Sequence, residues 1–452
     1  SIVGDSLVYY AEQQFNELNY ETATDISNIQ KHLRRVNIKN SQASPASVYC
    51  TFSIEVERDP VSADYAPEPV LKLLPIIKKG TKVSSSTGVT FTLEEDIDFQ
   101  SNYKQESGEE DIDGTPLTLF LHKKGLCTSG DIIQETFSLP KSSNKVFLSK
   151  DLENTNITTI ISVVDEDNNE YYEVDYLTQT TVYKKIKNAN DNYLTVQPAP
   201  RRFIREDSFM TGKTSLVFGN GKAKVTKDNV FVNPDVLLMP LKSKNNISRV
   251  DLDPSLLLKS STFGVSPEGK TLTVTYKYGG GTSHNLPIGT INSISSSPMI
   301  IFPNESNSEE VTDDEINIII NSMSVTNETS STGGTEPLTL DELKLQIPSA
   351  IKAQSRIITH EDLVARILTM PSDFGRVNKV AALDNPVSSS HKDLFIICKD
   401  AEGIYVEAND AIKVNLSNYL NSYRLIGDNY NILDVPVYNF GIKVKVRVKS
   451  GY

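Results

Sequence analysis

The stretch LTVTYKYGGG, residues 272–281, decides the class of structure that this chain adopts. Leucine, valine and tyrosine alternate with threonine and lysine, so that one face of an extended backbone is apolar and the other is polar. The run Gly279–Gly281 then ends the strand. Similar short segments with turn residues between them continue from about Ser47 to Ile301. The middle of the chain is therefore predicted to be β-rich, as one large or two smaller β domains.

The N-terminal part is predicted to form two helices, because apolar residues recur there at intervals of three or four. These stripes could pack on the chain's own core, or they could form a helical arm that packs against another chain. The sequence leaves both alternatives open. The second makes these residues candidates for a protein interface: Leu7, Ala11, Phe15, Leu18, Ile26, Ile29 and Leu33.

The C-terminal part returns to helix signals. Capping boxes at Thr339–Glu342 and Thr359–Asp362 predict two helix starts. Strands near 377–382 and 394–398, a helix ending at Gly427 and a last strand over 442–448 predict a small α/β sandwich with helices on one face. The polar face of the last strand, with Lys443, Lys445 and Arg447, either docks on an acidic partner or keeps a sheet edge soluble.

The fold class is thus predicted as α+β and multidomain: N-terminal helices, a β-rich middle and a C-terminal α/β sandwich domain. The predicted divisions are 1–40 (helical arm), 41–235 and 236–310 (β-rich domains I and II), 311–370 (linker and helices) and 371–452, with the chain expected to continue beyond its last residue. The segments Asn304–Thr312 and Glu328–Pro337 are predicted hinges, because their small and acidic residues offer little apolar surface to fix them.

Composition narrows the possible functions. Across 452 residues, 45 basic and 58 acidic side chains give a net charge of −13, which argues against nucleic acid as a partner. The sequence has no apolar run of the ~18–20 residues that a membrane helix needs, so no membrane partner is predicted. The three cysteines, Cys50, Cys127 and Cys398, are far apart and do not suggest a disulfide framework.

Chemistry-bearing motifs are incomplete throughout. Asp165–Asn169 begins like a calcium loop, but Glu170 and Tyr176 stand where the glycine and the closing glutamate are required, which favours an acidic turn. Gly212–Thr214 resembles the end of a phosphate loop without its first glycine. The five histidines are isolated. No catalytic, cofactor or metal site is predicted, and the chain is expected not to be an enzyme.

Several segments, in order, resemble T4-type phage baseplate wedge proteins of the baseplate J-like group of contractile tails. The most recognisable motif of this group reads Arg-Ala-Val-Thr-x-x-Asp-Tyr. Residues 356–363 resemble it, with Ile357-Ile358 in place of Ala-Val and Leu363 in place of Tyr. The resembling segments are Phe218–Gly221, Asp253–Leu258, Phe263–Pro267, Leu272–Tyr276, Gly279–Gly281, Val325–Asn327, Gly333-Gly334, Leu340–Leu343, Pro348–Ala350, Ala353–Leu363, Arg424–Gly427 and Val435–Tyr438, with weaker echoes at Gln13–Phe15 and Ser44–Ala46.

This resemblance implies a structural subunit of the virion tail, assembled in the host cytoplasm. Its implied partners are a second copy of itself, other baseplate wedge proteins and the protein that initiates the sheath. Pairs would link wedges into a ring that relays the contraction signal to the sheath. The alternatives are a β-rich receptor-binding or adhesin tail protein and, less favoured, a tail-associated hydrolase.

Overall fold

A computed structural model describes residues 2–35, 38, 42–60, 62, 67–111, 116–141, 147–187, 192–208, 211–221, 263–295, 298–302, 311–353, 356–388, 390–438 and 440–446. This part of the chain is rich in β-structure, in several sheets, with few helices. Its α-helices are α1 (Ile2–Glu17), α2 (Ile26–Arg35), α3 (Asp313–Ser322), α4 (Leu340–Ala353), α5 (His360–Leu368) and α6 (Asp410–Leu420).

The strands fall into three groups along the chain. The first group is β1 (Ser47–Glu57), β2 (Ile76–Ile77), β3 (Lys82–Ser85), β4 (Thr90–Leu93), β5 (Ile97–Asp98), β6 (Lys104–Ser107) and β7 (Thr118–Ser129). The second is β8 (Asp131–Ser138), β9 (Ser149–Thr155), β10 (Ile157–Asp165), β11 (Tyr172–Glu173), β12 (Thr181–Lys187), β13 (Asn192–Pro198), β14 (Arg202–Asp207), β15 (Lys213–Phe218) and β16 (Thr271–Tyr278). The third is β17 (Ile291–Ile294), β18 (Ile300–Ile301), β19 (Ser324–Asn327), β20 (Lys379–Asp384), β21 (His391–Lys399), β22 (Tyr405–Glu407) and β23 (Asn429–Asp434).

The first β unit comprises the described residues of 42–130 and 282–327. Its main sheet runs β17-β3-β4-β7-β1-β19, and β6 also pairs with β7. Strand β1 lies next to the edge strand β19, and it pairs with β7 over its whole length. Every second residue of β1 from Val48 to Val56 is buried, as expected of a strand that turns one face to a core.

The second β unit comprises the described residues of 131–278 and has its own core. The sheets β10-β16-β8 and β11-β14-β15-β9 enclose it. The alternation predicted in LTVTYKYGGG is confirmed, because Leu272, Val274 and Tyr276 are fully buried on one face of β16. The predicted domain boundary at residue 235 stays a prediction, since 222–262 lie outside the described residues, but residues on both sides of it share this one core.

The C-terminal unit comprises the described residues of 356–434. Helices α5 and α6 pack on the sheet formed by β20 to β23, around Leu394, Ile396 and Cys398. The capping boxes at Thr359 and Thr339 are present as predicted. The predicted helix to Gly427 ends earlier, at Leu420.

The predicted last strand is wrong for the part that the structure describes. Residues 440–446 form no ladder with the described strands, and Ile442, Val444 and Val446 are 77%, 76% and 80% exposed. Strand β23, which was not predicted, lies beside β21 instead. The two strands are parallel, with His391 opposite Asn429 at one end and Ile396 opposite Asp434 at the other.

Residues 327–335, called here the bracing segment, join the first β unit to the C-terminal unit. Ser47 and Thr332 exchange backbone hydrogen bonds of 2.8 and 3.2 Å. On the other side, the amide of Arg376 donates to the carbonyl of Gly333 over 2.9 Å. Residues 331–335 are buried throughout. Hydrogen bonds rather than apolar contacts thus hold residues 331–335 of the predicted hinge Glu328–Pro337, whose motion stays a prediction. Of the other predicted hinge, 304–310 lie outside the described residues.

Asparagine side chains complete the bracing. Asn409, which caps α6, donates from Nδ2 to the carbonyls of Ser47 (2.6 Å) and Ser330 (2.9 Å). Asn285 donates to the carbonyls of Gly334 (2.8 Å) and Lys399 (2.9 Å). Buried carbonyls need such donors, because without them the desolvation of each carbonyl would go uncompensated.

Asn409→Ala should lower the free energy of unfolding by about 2–4 kcal/mol, since it removes a helix cap and two buried hydrogen bonds. Urea unfolding measures the change. Asn418→Ala, on the exposed side of the same helix, is the control and should change stability by no more than about 0.5 kcal/mol. Equal effects of the two substitutions would contradict the bracing role of Asn409.

Candidate protein interfaces

The side chains that could suggest chemistry have structural roles here. No group of three or more His, Cys, Asp or Glu side chains among the described residues could hold a metal ion. The Asp165 carboxylate accepts hydrogen bonds from the amides of Asp167 (3.0 Å) and Asn169 (2.9 Å), and Lys270 lies 3.4 Å away. The first carboxylate of the calcium-like stretch thus organises an acidic turn, as predicted.

The three cysteines lie in cores and are free thiols. A hydrogen bond with Cys50, together with burial, raises the pKa of Cys127. Burial raises the pKa of Cys398 to about 12. Both shifts keep the thiols protonated at neutral pH, which disfavours a nucleophilic role.

Helix α1 carries its apolar side chains in solvent. Leu7 and Phe15 of α1, and Leu18 directly after its last residue, are predicted interface residues and are 66%, 71% and 70% exposed; Ala11 is exposed as well. Exposure on this scale is unusual for large apolar side chains that lie so close together along the chain. The described residues of this chain leave the predicted stripe uncovered.

The exposed apolar surface of α1 is wider than the sequence pattern indicated. Val8, Tyr9 and Tyr10 are 59%, 63% and 66% exposed, and none of them was predicted as an interface residue. With 3.6 residues per turn, Val8 and Tyr10 flank the stripe and Tyr9 lies on the opposite face of the helix. A helix that is apolar on more than one side normally packs against more than one neighbour, and counting apolar residues all round the helix would have found this signal.

Helix α2 behaves differently, and here the interface prediction needs correction. Ile29 and Leu33 are 0% and 3% exposed, because they pack against Leu343 and Ile347 of α4 in the same chain. The α2 stripe is therefore covered by residues far along the sequence. Nothing is described of the Ile26 side chain.

The turn between α1 and α2 is held by Glu17. Its carboxylate accepts hydrogen bonds from the amide of Thr24 (2.9 Å), the amide of Asp25 (3.2 Å) and Nδ2 of Asn28 (3.1 Å). These bonds, the one from the Thr24 amide foremost, lower the pKa of Glu17 from 4.5 to about 2. The carboxylate also lies at the positive N-terminal end of α2. Helix α1 is thus presented at a defined angle.

The remaining predicted interface residues lie near the C-terminal end. Lys443 and Lys445 are exposed on the segment 440–446, where Ile442, Val444 and Val446 are exposed as well. Arg447 lies outside the described residues. The structure does not bring this segment together with α1 into one site.

None of the helices in the described parts of the chain is long and apolar enough to cross a bilayer. No family model and no curated protein matches the sequence.

A solved structure does match. The chain is similar to a protein of the anti-feeding prophage baseplate. The match covers 95% of this chain and 65% of the other, with 10% sequence identity and a TM-score of 0.22. At that TM-score the similarity supports neither a fold nor a function.

Glu17→Gln should loosen the turn between α1 and α2 at pH 5–7, because a neutral amide is a weaker acceptor than the carboxylate. A depressed pKa contributes stability above the unfolded value of 4.5, and that stability is lost as the pH falls toward about 2. Hydrogen exchange of residues 18–25, read by mass spectrometry, should be faster in the variant at pH 6, and the difference between the two proteins should shrink as the pH falls toward 2. Glu12→Gln, exposed on α1, should match the parent protein; faster exchange in that control would contradict the role of Glu17.

Proposed function

We propose that this chain is a non-enzymatic structural subunit of a contractile-tail baseplate, and that it works by joining other protein chains. The observation that carries the proposal is the uncovered apolar surface of α1, on a chain whose described residues also build separate buried cores in the two β units and the C-terminal unit. The ordered resemblance to baseplate wedge proteins supports it, because the resembling segments extend over most of the chain.

The arrangement of α1 suits a joining element. Its exposed apolar side chains would each contribute about 1.5–3 kcal/mol when a partner removes them from water. The Glu17 turn limits the conformational freedom that α1 would lose on binding, which favours association. The partner chains would complete a helical bundle around α1.

The finer assignments follow from the resemblance alone. They are pairing with a second copy, linkage of wedges into a ring, contacts with other wedge proteins and with the sheath-initiating protein, and a location in the tail baseplate of the virion. In this proposal the ring passes the contraction signal to the sheath through changes in how its subunits are arranged.

Replacing Leu7, Phe15 and Leu18 together by Ser should prevent incorporation of the chain into particles and leave its fold intact. The three side chains are already in solvent, so unfolding should change little, whereas binding to the partner helices should weaken at least about 10³-fold. The measurement is the amount of the chain in purified particles when the variant is its only source.

The matched control is Leu345→Ser, on α4, because Leu345 is 77% exposed and lies outside α1. It should assemble like the parent chain. Normal incorporation of the triple variant would contradict the role of α1. Binding of the purified parent chain to host-surface glycan, with no copies in the baseplate, would favour the adhesin alternative.

A further inference from the structure

The second β unit is connected to the first through two adjacent chain crossings. The chain leaves β7 through Gly130 to enter β8, and it returns from β16 through Gly279–Gly281. In the ladder between β8 and β16, Ser138 lies opposite Thr271 at one end and Asp131 lies opposite Tyr278 at the other. The two crossings therefore lie side by side. The clusters of buried residues in the two units have no member in common among the described residues.

Both crossings require glycine. Gly130 and Gly279 have φ values of +123° and +113°, which residues with a side chain rarely adopt. A Cβ atom at Gly130 would lie 2.8 Å from the carbonyl oxygen of Tyr278. The close approach of the two backbones therefore excludes side chains that could stiffen the crossing by packing. The backbone of Gly130 is hydrogen-bonded to the first β unit: its amide donates to the carbonyl of Thr90 over 2.9 Å, and its carbonyl accepts from the hydroxyl of Thr92 over 3.1 Å.

The contacts across the crossings are polar. Lys277 of β16, 5% exposed, reaches into the first β unit. Its Nζ lies 2.9 Å from Oε1 of Glu94 and donates to the carbonyl of Thr128 over 3.2 Å and to the hydroxyl of the same residue. The Lys277 ammonium is thus held by three acceptors of the first unit.

A second ionic contact across the crossings is weaker. Lys82 and Asp131 are 3.4 Å apart, with 43% and 41% of their side chains exposed. Solvent screens a pair so exposed, and such pairs contribute little to stability. The buried lysine is the stronger restraint, because removing one partner of a buried pair leaves the other without compensation.

We propose that the second β unit turns as one body about the paired crossings at Gly130 and Gly279–Gly281, and that the Lys277–Glu94 contact holds it in the orientation of this structure. Polar interfaces between units with separate cores commonly permit relative motion. A rigid-body rotation at such an interface connects two orientations of the units, and these orientations differ in only a few contacts. This inference goes beyond the proposed function and does not depend on it.

The distance between the two β units in the purified full chain tests the proposal. Ser101→Cys in the first unit and Ser149→Cys in the second add two exposed thiols, while Cys50, Cys127 and Cys398 are fully buried and escape labelling. Electron paramagnetic resonance between spin labels at these sites then gives the distance distribution. The parent pair should show one narrow distribution, and Lys277→Met should broaden or displace it.

Lys270→Met is the matched control, because Lys270 pairs with Asp165 and Asp167 inside the second unit and leaves the crossing intact. It should keep the parent distribution. If Lys277→Met fails to fold, Glu94→Gln removes the same ion pair with a side chain of nearly the same size. A folded Lys277→Met or Glu94→Gln protein with the parent's narrow distribution would overturn the proposal.

Discussion

The arrangement of this molecule depends on how the backbone of residues 327–335 satisfies its hydrogen bonds. The segment has few apolar side chains, yet Asn327 and residues 331–335 are buried, so their carbonyls and amides must find partners inside the protein. Asn285 and Asn409 supply donors from two directions, and the amide of Gly334 donates in turn to Oδ1 of Asn285 over 2.9 Å. Asn409 also begins α6, so a single side chain links the start of a helix, strand β1 and the bracing segment.

Two kinds of junction result, and they have different mechanical consequences. The bracing segment fixes the C-terminal unit to the first β unit through several buried hydrogen bonds, which together define one geometry. The second β unit instead meets the first at two glycine crossings, which are held by the buried ammonium of Lys277 and by backbone hydrogen bonds from Gly130 and Gly281. A body with one extensive junction and one that is confined to two crossings suits a subunit that must hold neighbours in place and also change shape.

The sequence predicted the local structure well where the cause of that structure is local. The alternation in β16 and the capping box at Thr359 depend on neighbouring residues, and both are present.

The polar composition of 328–337 was misleading. Serine, threonine and glycine occur in a buried segment as readily as in a solvated one when the backbone amides and carbonyls are hydrogen-bonded. The partner of α2 could not be predicted either, since Leu33 meets Leu343 only once the distant α4 has folded beside it. Strand β23 has a weak pattern of its own and depends on the free edge of β21. Of the candidate interface, the α1 stripe was predicted and its breadth at Tyr9 and Tyr10 was not.

The central claim is that α1 is covered by other chains when the protein is at work. A photoreactive phenylalanine analogue in place of Phe15, in particles assembled with that protein as the only source, tests it most directly. The account predicts that irradiation joins α1 to other chains of the baseplate, including helices of its partners, as read by mass spectrometry. Links that stay within one chain, or a chain recovered free of any particle with its photoreactive group joined only to water, would contradict it.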